Sequence, residues 1–256
     1  MRIWWQSSTP LDDLPDYKLA LTEHLSRLKK TDTEITYHGV EKGLASHGYK
    51  YLFWITEIEV FKRFVQAERE GYDAVAVGCL GDPAVPMARE ALSIPVFGMR
   101  EISMHVASMF GRFAALSATD PTFLEEAARG YGLEDKMAPF VEMEMSREGK
   151  LALYAEYHRA LKDPDRIRSS FMKAAEKAIA GGAEVILPGC GIMNEVAVCH
   201  EWKKVNDALV LDETGTLLKV TEAILDLGYK VPKRTTFPGR PTRESIEEAL
   251  KLHRLL

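Results

Sequence analysis

Short runs of β-branched and aliphatic residues alternate along this chain with longer stretches whose apolar positions recur at helical spacing. Residues 2–6 read as a buried strand, and Asp16 to Lys30 as a helix carried by Leu19, Leu21, Leu25 and Leu28. A strand over Glu34 to His38, a helix from Ile55 to Glu70 and a strand over 72–78 follow. Ile94 to Gly98 and Phe113 to Ala118 predict further strands, with a helix from Ile102 to Phe110 between them. The second half continues with a helix over 120–130, a strand over 139–145, helices near 150–161 and 164–180, and a strand over 184–188. A helix from about Asn194 to Lys204, a strand at Ala208 to Leu211, and amphipathic helices at Thr216 to Leu227 and Arg243 to Leu255 complete it. Strands alternating with helices in this way define an α/β protein whose parallel sheets are covered on both faces.

The pattern also repeats. Tyr72-Asp73-Ala74-Val75-Ala76-Val77-Gly78-Cys79-Leu80-Gly81-Asp82-Pro83 returns, shifted by the distance from Cys79 to Cys190, as Ala183-Glu184-Val185-Ile186-Leu187-Pro188-Gly189-Cys190-Gly191-Ile192-Met193. The same shift pairs Arg2 to Pro10 with Phe113 to Pro121. One offset holding across separate strand-to-loop segments predicts two copies of one α/β unit, each presenting a cysteine at the same structural place. The first lobe is expected to comprise 1–98 plus 213–256, and the second 99–212. In open parallel sheets the ligand lies beyond the carboxyl ends of the strands, where both cysteines fall. A pseudo-twofold relation between the lobes would set the two thiols facing each other across an inter-lobe cleft.

Composition narrows the class. Hydrophobic residues make up 46% and charged residues 28%, the balance of a soluble globular protein. The net charge is −5 and lysines and arginines do not cluster, so a nucleic-acid partner has no electrostatic support. Three cysteines at scattered spacings make no disulfide framework and suit a reducing compartment. No run approaches the ~18 apolar residues of a membrane span. The strand-like Arg2-Ile3-Trp4-Trp5 opening is unlike a signal peptide. A cytoplasmic protein acting on a small molecule follows, with no membrane partner; homo-oligomerisation is left open. Gly39 to Lys50, rich in glycine and polar groups, has the length of a functional lid, and brings His47 with it.

The chemistry is carried by the cysteines. A thiol at a helix start meets the partial positive charge of unpaired N–H groups, which favours thiolate. With one thiolate and one thiol supplied symmetrically, the first removes a proton from one face of a carbon and the second returns one to the other. That inverts a stereocentre without metal or cofactor. The resulting carbanion needs donors, and the backbone N–H groups of Leu80, Gly81, Gly191 and Ile192 are placed for it. Gln6, Ser7, Ser8, Ser117 and Thr119 occupy matched loops after the first strand of each lobe and are candidate ligand contacts, or else turn and cap residues. Asp82 either orients a ligand or caps the helix carrying Pro83. Cys199 has no partner at the offset and reads as structural. Neither cysteine turn has the ligand spacing of a metal site.

Gly78-Cys79-Leu80-Gly81-Asp82-Pro83, the Gly189-Cys190-Gly191 turn with Met193 behind it, and the duplication resemble the aspartate/glutamate/hydantoin racemase superfamily, most closely its hydantoin racemases. The resemblance implies two flavodoxin-like lobes, an active site between them, and cofactor-independent two-base racemisation with Cys79 and Cys190 as the bases. Glutamate and aspartate racemases usually carry Asn-Thr after the first cysteine and Thr-His after the second. Leu80-Gly81 and Gly191-Ile192 stand here instead, which argues against an amino-dicarboxylic acid. Hydantoin racemases usually have an Asn-Pro-Asn-Thr type first loop and Gly-Cys-Ala-Gly-Met as second motif, against Gln6-Ser7-Ser8-Thr9 and Gly189-Cys190-Gly191-Ile192-Met193 here. The leading expectation is a racemase or epimerase of a small carbonyl compound such as a 5-substituted hydantoin. The alternatives are a single-cysteine decarboxylase or cis–trans isomerase of the same superfamily, and a non-catalytic small-molecule binding protein.

Overall fold

The computed structural model describes residues 1–41, 50–145, 153–229 and 242–252. The glycine-rich stretch expected to form a lid, including His47, lies mostly outside them. Two sheets organise the rest. The first contains β1 (Arg2–Gln6), β2 (Glu34–His38), β3 (Ala74–Val77) and β4 (Val96–Gly98), all parallel, in the order β2-β1-β3-β4. The second contains β5 (Phe113–Ser117), β6 (Val141–Glu142), β7 (Val185–Leu187), β8 (Lys204–Val205) and β9 (Ala208–Val210), in the order β6-β5-β7-β9-β8. Reading β5, β6, β7 and β9 as the counterparts of β1, β2, β3 and β4 gives one strand order twice. The duplication in the sequence is therefore a duplication of topology, and the fold is α/β with two doubly wound sheets.

Strand burial follows from period two. Along β1, Ile3 and Trp5 join the large core and Trp4 the smaller one; along β3, Ala74 and Ala76 face the first, Val75 and Val77 the second. The smaller core lies under α2 (Lys50–Arg69), α3 (Val85–Ala91) and α10 (Arg243–Leu252), with Phe64, Val85 and Leu250 packed on the sheet. The large core runs through both lobes without a break, from Ile3 and Leu21 to Phe113 and Phe171.

Two helices exchange partners. α4 (Met99–Phe110) follows the last strand of the first sheet but packs on β5 and β7 of the second. α9 (Glu213–Asp226) follows the last parallel strand of the second sheet but packs on β3 and β4 of the first. The two crossing helices also pack on each other, and α1 (Pro15–Leu28) rests on α9 and on α8 (Gly191–Cys199). The remaining helices, α5 (Thr122–Gly130), α6 (Leu153–Ala160) and α7 (Asp165–Ala180), belong to the second half of the chain.

Several boundaries differ from expectation. The strand expected over 139–145 contracts to the two residues of β6. β8 pairs antiparallel with β9 through a turn in which Asn206 is left-handed (φ 50°), so the second sheet carries one antiparallel edge strand that the sequence pattern did not indicate. α8 begins at Gly191, not near Asn194, and ends at Cys199. Asp82 caps neither Pro83 nor α3. Its carboxylate accepts the N–H groups of Arg100 (2.9 Å) and Glu101 (3.0 Å) in the first turn of α4. α5 carries no cap from Thr119; Asp120 accepts the Thr122 N–H at 2.8 Å.

Candidate active site

Cys79 and Cys190 follow β3 and β7, the two strands in the third place of each sheet. Their turns meet. A Cβ added to Gly191 would lie 2.9 Å from the Gly78 carbonyl oxygen and 3.1 Å from the Tyr17 hydroxyl. The two backbones can approach this closely only because position 191 has no side chain. Tyr17, buried on α1, sits where Cys79, Cys190 and Ser7 all bear on its phenol. Burial, with Glu195 and then the two cysteines, holds that hydroxyl protonated well beyond the ordinary tyrosine range. Tyr17 had been hidden in the leucine periodicity of α1.

The two sulfurs have different surroundings. Cys190 is the N-cap residue of α8, with extended backbone (φ −162°, ψ 140°), and the N–H groups of Ile192 and Met193 face its sulfur. Cys79 does not start a helix, contrary to the expectation of a thiol at a helix start: residues 80–84 intervene before α3. Its partners are the Gly81 N–H, at 3.4 Å from Sγ, and the Ser8 hydroxyl. Burial dominates both thiols. It pushes Cys190 up to about 12 and raises Cys79 as well, outweighing the donors on each. Without a ligand, both are therefore neutral thiols at neutral pH.

The other expected contacts divide. Ser8 and Gly81 adjoin Cys79, Gly191 and Ile192 adjoin Cys190, and Ser7 adjoins Tyr17 while its hydroxyl also lies 2.8 Å from that of Thr9. Thus two of the four backbone N–H groups assigned to a carbanion, those of Gly81 and Ile192, are turned towards the sulfurs. Leu80 is buried in the large core. The Gln6 amide holds its own loop: Oε1 accepts from Trp4 Nε1 (2.9 Å) and Nε2 donates to the Ser7 carbonyl (2.8 Å). Ser117 ends β5 and its hydroxyl accepts the Thr119 N–H at 3.3 Å. An aromatic wall was not foreseen: a Cβ on Gly81 would fall 2.6 Å from the Phe53 ring and 3.5 Å from the Cys79 sulfur. Among the described residues no cluster of histidine, cysteine or carboxylate side chains could hold a metal ion, and no helix is long and apolar enough to cross a membrane.

Gly189 fixes the second turn. Its φ is +81°, and an added Cβ would lie 1.6 Å from the Leu116 carbonyl oxygen. Gly189→Ala therefore combines left-handed strain of about 1–2 kcal/mol with a clash relieved only by moving β5. The urea midpoint of this variant should drop by more than any surface substitution produces, with the Cys190 turn displaced. A midpoint equal to the wild type would show that the turn adapts.

A larger cluster lies behind the site. His24 of α1 sits between two carboxylates, Nδ1 at 3.0 Å from Glu195 and Nε2 at 3.0 Å from Asp212. Asn194 Nδ2 donates to Thr214 (2.8 Å) and to Asp212 (3.1 Å), and Thr214 donates to Glu195 (2.7 Å). Burial alone would lower His24, but the Asp212 and Glu195 carboxylates override it and raise it to about 9. The cluster ties α1 to α8 and to the start of α9.

Two doubly wound sheets whose parallel strands share one order, with equivalent cysteine turns brought together, define a duplicated two-lobed class of α/β protein. The Asp/Glu/Hydantoin racemase family model matches residues 20–215, and the chain belongs to that family; it is an isomerase of the racemase type. A hydantoin racemase of Pseudomonas sp. (strain NS671) is 28% identical over 244 residues, covering 91% of this chain and 92% of its own. Two allantoin racemases share the fold. That of Pseudomonas fluorescens has a TM-score of 0.75 at 21% identity, covering 93% of this chain and 100% of its own. That of Klebsiella pneumoniae has a TM-score of 0.74 at 20% identity, covering 93% and 96%.

Proposed function

We propose that this protein racemises a small cyclic ureide, a 5-substituted hydantoin or a close analogue, by a cofactor-independent mechanism in which Cys79 and Cys190 are the two bases. The observation that carries the reading is the meeting of the Gly78-Cys79 and Cys190-Gly191 turns around Tyr17. The C–H at position 5 of a hydantoin is acidified by the neighbouring carbonyl. A thiol held above its ordinary value is, once deprotonated, a stronger base and better matched to such a weak carbon acid. In this reading Ser8 and the Gly81 N–H steady Cys79, and the Ile192 and Met193 N–H groups steady Cys190. The backbone at Leu80 and Gly191 and the polar groups of Ser7, Ser117 and Thr119 serve the ligand, while Gln6 shapes its loop. The lobes of 1–98 plus 213–256 and 99–212 are the bodies between which the ligand binds, in a reducing cytoplasm that keeps the thiols free.

The similarity to hydantoin and allantoin racemases supports a ureide over an amino acid, as do the Phe53, Tyr17 and Met99 groups at the turns. Optically pure 5-substituted hydantoins, incubated with the protein in the presence of a chelator, should lose optical rotation and exchange the C5 proton for deuterium from solvent. Glutamate and aspartate should do neither. Turnover of an amino-dicarboxylate with inert hydantoins would overturn the substrate assignment.

A further inference from the structure

Glu213, the first residue of α9, has no exposure to solvent and stands behind the Cys190 turn. Its Oε2 accepts the Gly189 N–H at 3.2 Å, while Oε1 is buried without a hydrogen-bond partner among the described residues. Its own N–H donates to Asn194 Oδ1 at 2.7 Å, so the residue is fixed from both ends. A buried carboxylate with an unpaired oxygen is costly, and neutralisation is the usual relief. The surrounding charges offer no other. Asp212, the preceding residue, and Glu195 of α8 share His24. Asp82, in the turn after β3, has Arg100 of α4 at 3.9 Å and the first N–H groups of that helix. Both of these cations are thus engaged by other carboxylates, and the charges of Asp82 and Asp212 oppose one on Glu213, as a Cys190 thiolate would. Burial raises this carboxyl to about 8, and the Gly189 N–H opposes that rise.

We propose that Glu213 is a positioning residue for Cys190, holding the cysteine turn through Gly189 and trading its single negative charge against that of the thiol. Thiolate at Cys190 is then favoured by a proton on Glu213, and a negative charge on either group disfavours one on the other. The proposal rests on Cys190 acting as a proton-transfer base, but its test does not need turnover. Glu213→Gln keeps an acceptor for the Gly189 N–H and removes the charge; Glu213→Asp keeps the charge.

Alkylation by iodoacetamide, mapped separately at Cys79 and Cys190 by mass spectrometry across a pH series, reads the result. In Glu213→Gln the rate at Cys190 should match the wild type below about pH 8, where the native carboxyl is already neutral, and exceed it by up to about tenfold above, where the native carboxyl is ionised. Cys79 should be unchanged and Glu213→Asp should stay near the wild type. An unshifted Cys190 profile in Glu213→Gln overturns the proposal, even in an active racemase. A shifted profile in a protein that racemises nothing would instead sink the proposed function and leave the Glu213–Cys190 linkage standing. Should Glu213→Gln fail to fold, infrared titration of the wild type decides: a protonated-carboxyl band present at pH 7 and lost as pH passes about 8 is expected. Absence of that band at pH 7 overturns the assignment.

Discussion

Cys79→Ser and Cys190→Ser are each expected to abolish racemisation, with kcat falling by roughly 10³-fold or more, because a hydroxyl replaces a thiol as the group that must give or take the proton. The informative part is what survives. With one base intact, each variant should still exchange the substrate C–H for deuterium from a single enantiomer, since the remaining thiolate can remove and return a proton on its own face. The two variants should show opposite enantiomer preferences, which assigns each cysteine to a face. Full retention of activity in one variant and loss in the other would exclude the two-base mechanism and favour single-cysteine chemistry. The different surroundings of the sulfurs add a direction. Burial raises both thiols, Cys190 to about 12, but the two donors on Cys190 are the backbone N–H groups of Ile192 and Met193, whereas Cys79 has one backbone donor, Gly81, and one side-chain donor, the Ser8 hydroxyl. Ser8→Ala should therefore slow the half-reaction that starts at Cys79 and leave the other nearly intact.

The second large effect concerns His24. Removing one partner of a buried ion pair leaves uncompensated charge and costs about 3–5 kcal/mol. Two carboxylates lose their partner in His24→Ala, so melting should fall by about 10 °C for a chain of this size. The pH dependence has a definite sign. The folded value of about 9 lies above the unfolded value of 6.5, so the stabilisation is fully present below about pH 6.5 and is lost as pH rises through about 9. That shift corresponds to roughly 3 kcal/mol at most. Asp212 behaves oppositely: burial would raise its carboxyl, but His24 lowers it, so its contribution fades on acidification. Wild-type stability that climbs between pH 7 and 9.5, or a His24→Ala variant with unchanged melting, would refute this account.

The architecture was legible because it is written in short-range pattern. Apolar runs such as Val75-Ala76-Val77 and Val185-Ile186-Leu187 mark strands, and the single offset between them marks the repeat, so both cysteine turns could be found without coordinates. The start of α8 was misplaced because Gly189-Cys190-Gly191 reads as a turn, whereas the extended backbone of Cys190 serves as the cap and the helix begins at the glycine. β8 was missed because two residues carry no periodicity. Asp82 was assigned to the nearer helix; its real partners lie 18 and 19 residues away in α4. His24 and Glu195 are 171 residues apart, and each falls within an ordinary helical pattern, so nothing local announced their pairing. Tyr17, Phe53 and Glu213 were invisible for the same reason. Each looks like a common helix residue until the lobes are assembled.

The exchange of α4 and α9 has a consequence for how the molecule is made. The face of the first sheet formed by β3 and β4 is complete once Gly98 has been synthesised, yet the helix that covers it begins more than a hundred residues later, at Glu213. During synthesis that apolar surface waits for nearly the whole second half of the chain. The halves thus cannot mature one after the other as independent beads. Closing the first depends on finishing the second, and the step that does so is also the one that delivers Glu213 and the His24 partners to the cysteine turns. Meeting of the two cysteine turns is thus coupled to synthesis of α9.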